Sequence, residues 1–278
     1  MDVHTPKPWR GGRELAKEIG TIVLGVLIAL GAEQTVEALN WAHKARLAEG
    51  LMREEIAGDD GPQVYIRIAT LRCQRQQLTE LRAMVEDGAA REALVPRVQA
   101  FRATNYGWDS AALRAADSSG ALVHLPHDLL SDLSQFYELM PTLNVHTERE
   151  SAAAAHLHAL SAKGGPLSDA ERQTLLTAIE ELSDEHVWIR ANVLNAADAM
   201  YRAHIKLDPV GQTVFEKTLD QFWRPYPQAA ACLAKGLDDL KQATSKNTAT
   251  RYFVDPPEEF KPPAAPRAGD PAAAAGDP

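Results

Sequence analysis

An uncharged run, IGTIVLGVLIALGA from Ile19 to Ala32, constrains this chain more than any other feature of its sequence. Ile22, Val23, Leu24, Val26, Leu27 and Ile28 leave no polar face when wound into a helix, so the segment needs cover on every side from protein or from lipid. Its length of about 14 residues falls short of the roughly 20 that cross a hydrocarbon layer. The flanks supply the difference. Leu15 and Ala16 precede Lys17 and Glu18, whose stems snorkel, and Thr35, Val36, Ala38 and Leu39 follow, interrupted by Glu33 and Glu37. Trp9 and Trp41 bracket the run, and amphipathic rings suit the two membrane interfaces. A transmembrane helix over residues 19–39 is therefore expected, with 1–18 as a short cytoplasmic N-terminus.

Orientation follows from the basic residues beside the span, Lys7, Arg10, Arg13 and Lys17 before it against Lys44 and Arg46 after it. The bias keeps the N-terminus in the cytoplasm and places the rest outside, in the periplasm of a Gram-negative cell. Two rivals remain open at this point. A cleaved signal peptide has the same outline, with Ala29 and Gly31 or Leu30 and Ala32 as the small residues before a cleavage site. Against it, helical spacing continues through Val36, Leu39, His43, Leu47 and Leu51. The other rival is a buried core helix.

Glu18 to Gln34, EIGTIVLGVLIALGAEQ, followed by Trp41, resembles the opening of a family of uncharacterised single-pass inner-membrane proteins of proteobacteria with the pattern E-x-x-x-x-V-L-G-V-L-I-A-L-x-A-[DE]-Q. GWDSAAL from Gly107 and SSGALVHLPHDL up to Leu129 are similar to that family's middle region. The resemblance implies membrane placement. It supplies no catalytic residue.

Beyond the span, Ala, Leu, Glu, Gln and Arg dominate, the mix of a mostly helical chain. Gly58-Asp59-Asp60-Gly61-Pro62 reads as a stop and restart, after which Val64, Ile68, Leu71, Leu78, Leu81 and Val85 recur at helical spacing up to Gly88. A mixed stretch punctuated by Pro96 and Gly107 follows, with a short helix over Trp108 to Asp117 and a connector from Gly120 to Pro126. A long helix is expected from His127 to about Ala162, kinked at Pro141. Ser168 and Glu171 form a capping box for the next one. There Leu175, Ile179, Leu182, His186, Ile189, Val193, Ala196 and Met200 alternate by four and three, the spacing of a seam against another helix. Two shorter helices, Val214 to Trp223 and Pro227 to Ala243, complete the body. No internal repeat is present. The expected fold class is all-α, an N-terminal transmembrane helix followed by an antiparallel long-helix bundle over residues 40–253. Residues 254–278, rich in Pro and Ala, carry almost nothing to bury and read as a disordered tail.

A formal net charge of -9 excludes a dense basic face for nucleic acid. Arg67, Arg72 and Arg75 are interleaved with Glu80, Glu86 and Asp87 and read as a solvated helix face. Cys73 and Cys232 would join if the body lies outside the cytoplasm, and otherwise pack as separate thiols. His146 and Glu150 are an i, i+4 pair able to share one ligand, but no third ligand is near in sequence, and neither metal nor other cofactor is expected. His156 and His158 point to different faces. His186, on the seam, is expected to be a packed imidazole, with a pH-sensitive contact as the alternative. Phosphate loops, a nucleophile elbow and a dinucleotide fingerprint are missing, and Glu180 with Asp184 and Glu181 with Glu185 read as solvated faces. The expectation is a non-enzymatic membrane-anchored domain whose partners are the lipid bilayer and another protein or itself. A ligand-sensing bundle is the alternative; an enzyme built from scattered residues such as His146, Glu150 and His158 comes third.

Overall fold

The computed structural model describes residues 11–103, 106–160, 164–223 and 229–244, and every regular element among them is helical. The tail at 254–278, Trp9 and the basic residues Lys7 and Arg10 lie outside the described residues. In order come α1 (Gly12–Glu55), a π-helical turn (Ile56–Asp60), α2 (Gly61–Glu86), α3 (Arg91–Ala100), α4 (Ala111–Ser118), a 3-10 turn (Leu122–His124), α5 (His127–Ala159), α6 (Asp169–Arg202), α7 (Pro209–Phe222) and α8 (Ala229–Ala243). The chain divides into two compact units: residues 1–51 with 112–126, and residues 52–111 with 127–278.

In the first unit, α1 is long and apolar enough to cross a membrane, and none of its apolar window is buried. Ile22 is 62% exposed and Ile28 64%. A core helix would be wrapped by neighbours, so that rival reading of the sequence fails.

The second unit is an antiparallel bundle whose pairings follow from side chains that meet. Arg202 at the end of α6 reaches Asp132 near the start of α5, while Glu150 in the middle of α5 meets His186 in the middle of α6. Gly61 at the start of α2 lies against Met200 of α6, and Arg172 at the start of α6 donates to the Val85 carbonyl at the end of α2. The whole seam of α6, from Leu175 to Met200, is buried, as its four-and-three spacing predicts. Its N-terminus carries both halves of the capping box: the Glu171 N–H donates to Ser168 Oγ at 3.3 Å and the Ser168 N–H to Glu171 Oε2 at 3.0 Å. One end of the bundle is closed by Leu78, Leu81 and Val85 of α2, Leu94 and Val98 of α3, Leu157 of α5 and Leu175, Ile179 and Leu182 of α6.

Three local expectations are corrected. Gly58 to Pro62 does not stop the helix. The backbone stays right-handed helical at Glu55, Asp60 and Gly61, and the Gly61 N–H bonds to the Ile56 carbonyl five residues back. Pro62, which has no N–H to extend the α ladder, follows this widened turn. The glycines serve close approach instead: a Cβ on Gly61 would stand 2.5 Å from the Ile56 carbonyl oxygen, and one on Gly211 of α7 2.1 Å from that of Ala57. Second, residues 91–100 form α3 despite Pro96, which stands in the helix interior. Third, α7 begins earlier than the periodicity suggested, because Asp208 caps it by accepting from the Gly211 N–H at 2.7 Å. The short helix expected over Trp108 to Asp117 is α4, displaced by a few residues.

Candidate functional site

Chemistry-bearing side chains of the second unit gather in two buried places. The first is a charged network at the centre of the bundle. Arg67 on α2 stands on the same stripe as Val64, Ile68 and Leu71, so its helix carries it inward instead of onto a solvated face as its charged neighbours suggested. Its Nη1 donates to Glu150 Oε1 at 2.9 Å and lies 2.7 Å from Oε2, with side-chain exposures of 1% and 0%. His186 Nε2 lies 3.0 Å from the same Oε1 and is also fully buried. An ionised carboxylate only accepts, which assigns a proton to Nε2, while Nδ1 has no hydrogen-bond partner among the described residues. Thr147 Oγ1, one turn before Glu150, accepts from Trp108 Nε1 at 3.2 Å, and Phe101 stacks over His186 with ring centroids 6.3 Å apart.

Burial by itself pushes the Glu150 carboxyl upward, but the Arg67 charge and the His186 hydrogen bond outweigh it and hold the group below its ordinary value. A buried charge with two partners of this kind is stable only while both remain. Three helices therefore meet on one carboxylate. The expected sharing of a ligand by His146 and Glu150 is not what the geometry shows. Glu150 turns to Arg67 and His186, whereas His146 Nδ1 binds Glu185 Oε2 and its ring stacks on Trp188 at 5.7 Å. Burial and Arg102 hold the His158 imidazole below its usual value. His156 is exposed. No group of three or more His, Cys, Asp or Glu side chains suited to a metal occurs among the described residues. Glu180, Glu181 and Asp184 are exposed, as their spacing suggested, whereas Glu185, expected on the same solvated face, is largely covered by its contact with His146.

The second place surrounds the π-helical turn. Asp60 is fully buried, with Tyr106 donating to its Oδ1 at 3.2 Å and no hydrogen-bond partner for Oδ2 among the described residues. Burial raises its carboxyl to about 7, with Glu55 adding repulsion and the Asp109 N–H and Tyr106 pulling it back only in part. Tyr137 donates to the Met52 carbonyl at 3.3 Å, and burial with the nearby Glu55 raises its phenol well above the usual range.

Comparison with protein-family models, with curated proteins and with solved structures finds no match.

The Asp60 carboxyl makes the fold pH-dependent in a direction opposite to acid denaturation. The folded state keeps this proton up to about pH 7, whereas an unfolded Asp releases it near 4. Between those values the native chain binds more protons, so stability falls as pH rises. Over pH 5 to 8 the loss from this group is about 2 to 3 kcal/mol. Thermal unfolding of the detergent-solubilised chain should show that decline, and Asp60→Asn should flatten it. A variant that keeps the full slope would refute the assignment to Asp60.

Apart from these two places, Cys73 of α2 and Cys232 of α8 have their sulfurs at disulfide distance and their Cα atoms 5.3 Å apart. Around them pack Ala69, Leu219, Trp223 and Leu233. Of the site residues anticipated from sequence, His186 is thus placed in a buried contact and the cysteines are brought together. Arg67, Asp60, Tyr106 and Tyr137 were missed.

Proposed function

We propose that this chain is a membrane-anchored helical domain without catalytic activity, with its N-terminus in the cytoplasm and its bundle in the periplasm, that binds another protein or a second copy of itself in organising the envelope. The observation that carries the reading is α1, whose apolar side chains from Ile19 to Leu30 are uncovered by the described protein on every side. Lipid provides the cover that protein does not. The same helix continues without interruption to Glu55, past the apolar run.

The basic residues before the span favour a cytoplasmic N-terminus. A cysteine pair at bonding distance suits an oxidising compartment, which agrees with that orientation. Two perturbed carboxyls, Glu150 and Asp60, lie buried within the bundle. Ion pairs and hydrogen bonds of that kind hold helices together, consistent with a structural part.

Carbonate extraction of native membranes combined with N-terminal sequencing tests the reading. The intact chain should remain in the pellet and begin ahead of Ile19. Release into the supernatant with a new N-terminus near Ala32 would replace the anchor with a cleaved signal peptide and make the protein a secreted bundle.

A further inference from the structure

Along α1, cover begins at Trp41. From Gly12 to Asn40 the described side chains are exposed except for half-buried Leu15, then Trp41 is half-covered and Ala45 and Ala48 are buried. What meets Trp41 is the turn that follows α4. Gly120 takes a left-handed φ of +71 and ends α4 in a Schellman motif, its N–H bonding to the Asp117 carbonyl and that of Ala121 to the Ala116 carbonyl. The reversal leads into the 3-10 turn Leu122–His124, and the His124 ring stacks on Trp41 with centroids 4.4 Å apart and planes 20° from parallel. Lys44 Nζ lies 4.3 Å from the Trp41 ring centroid, and Trp41 Nε1 donates to Glu37. Residues 120–124 are therefore the part of this unit that meets α1 at the first covered position after its apolar run.

At the tip of that turn Val123 is 81% exposed, the most exposed large apolar side chain among the described residues. A lone surface valine is ordinary; its position is not. A span over residues 19–39 is about 31 Å long, matching a hydrocarbon layer of roughly 30 Å, which puts Trp41 about 3 Å beyond the edge. Exposed Val36 and Leu39 continue the apolar surface of α1 up to that edge. Amphipathic rings with a cation alongside are the side chains that settle at the headgroup level.

We propose that the Gly120–His124 turn, held on α1 by the Trp41–His124 stack, is a second lipid contact, with Val123 entering the headgroup layer of the bilayer that α1 crosses. The occupant is phospholipid because the turn packs on Trp41, two residues past the end of the proposed span, where the uncovered apolar surface of α1 ends. This rests on the anchored reading above. Such a contact fixes the rotation of α1 about its own axis, since only one face of the helix carries the turn.

Nitroxide labels at Val123→Cys, Leu27→Cys and Val210→Cys in the full-length chain, reconstituted into phosphatidylethanolamine–phosphatidylglycerol nanodiscs, read depth by collision with oxygen and with a water-soluble nickel chelate. Val123 and Val210 are both exposed, so neither substitution disturbs packing. The Leu27 label should favour oxygen, the Val210 label nickel, and the Val123 label should fall between them with reduced nickel access. Trp41→Ala should then return Val123 to the Val210 value. A Val123 label equal to Val210 while Leu27 reads lipid overturns the second contact and leaves the anchor standing. A Val123 depth unchanged by Trp41→Ala overturns the clamp. A Leu27 label that reads water overturns the anchor itself and the contact with it.

Discussion

Glu150→Leu should destabilise the bundle by about 3 to 5 kcal/mol, the cost of stripping a buried ion pair of one member. The expectation rests on the depth at which its partners lie. Arg67 and His186 both turn their polar atoms to this carboxylate from a depth at which neither side chain reaches water. Removal takes the opposing carboxylate from a buried guanidinium and leaves His186 Nε2 without its acceptor. Glu150→Gln keeps an acceptor oxygen while losing the charge, so it should cost less. The diagnostic variant is Arg67→Met with Glu150→Leu: with both charges gone the core is apolar, and most of the loss should be recovered. Denaturant midpoints of the three variants check this; a double variant as unstable as Glu150→Leu alone would show that shape, and not charge, holds the site. The wild-type carboxyl is depressed, so it stabilises the fold above the unfolded value near 4.3 and that contribution is lost as the pH falls through the folded value.

The reason this network was hidden in the sequence is specific. Helix α2 carries enough charged residues that Arg67 looks like its neighbours Arg72 and Arg75, yet it lies three residues after Val64 and four before Leu71, on the buried stripe. Glu150 likewise stands seven residues after buried Leu143 and seven before buried Leu157. Register thus carried the signal, and charge masked it. His186 was readable because the α6 seam is otherwise purely apolar, so the polar residue in it stood out. The helices legible in advance were those with a long uniform stripe or an explicit cap, α2, α5 and α6. Where a local rule pointed one way and packing another, packing prevailed: Gly58, Gly61 and Pro62 suggested a break, but the helix runs on, with Gly61 set against Met200 of α6 and Gly211 letting α7 close on the Ala57 carbonyl. Helix α3 was missed because Pro96 disrupts its pattern, although Leu94 and Val98 on either side are fully buried. The acid at Asp60 gave no sign, since its burial depends on Tyr106 and Asp109 from a distant, irregular part of the chain.

Cys73→Ala with Cys232→Ala should lower stability by about 2 to 5 kcal/mol, because cross-linking positions 159 residues apart removes a large share of the conformational freedom of the unfolded chain. The upper figure is the loop-entropy value; native strain and residual structure in the unfolded chain usually reduce it. The loss should not be uniform. The cluster of α2, α3, α5 and α6 around Leu78, Leu94, Leu157 and Leu182 contains neither cysteine. Helix α8, in contrast, meets α2 through the cysteine pair, the Arg72–Asp239 ion pair at 3.0 Å and the close approach of Gly236 to the Ala69 carbonyl. The ion pair, its side chains 25% and 33% exposed, is screened by solvent and contributes modestly, so the sulfur bridge is the principal tether. Amide exchange in the double variant should therefore accelerate first over Ala229–Ala243, with the α5–α6 pair keeping most of its protection. Mass spectrometry of the wild-type chain after alkylation without reductant should find both cysteines unmodified; recovery of two alkylated thiols from native membranes would show the pair reduced in the cell, and would remove both this stabilisation and one support for a periplasmic bundle.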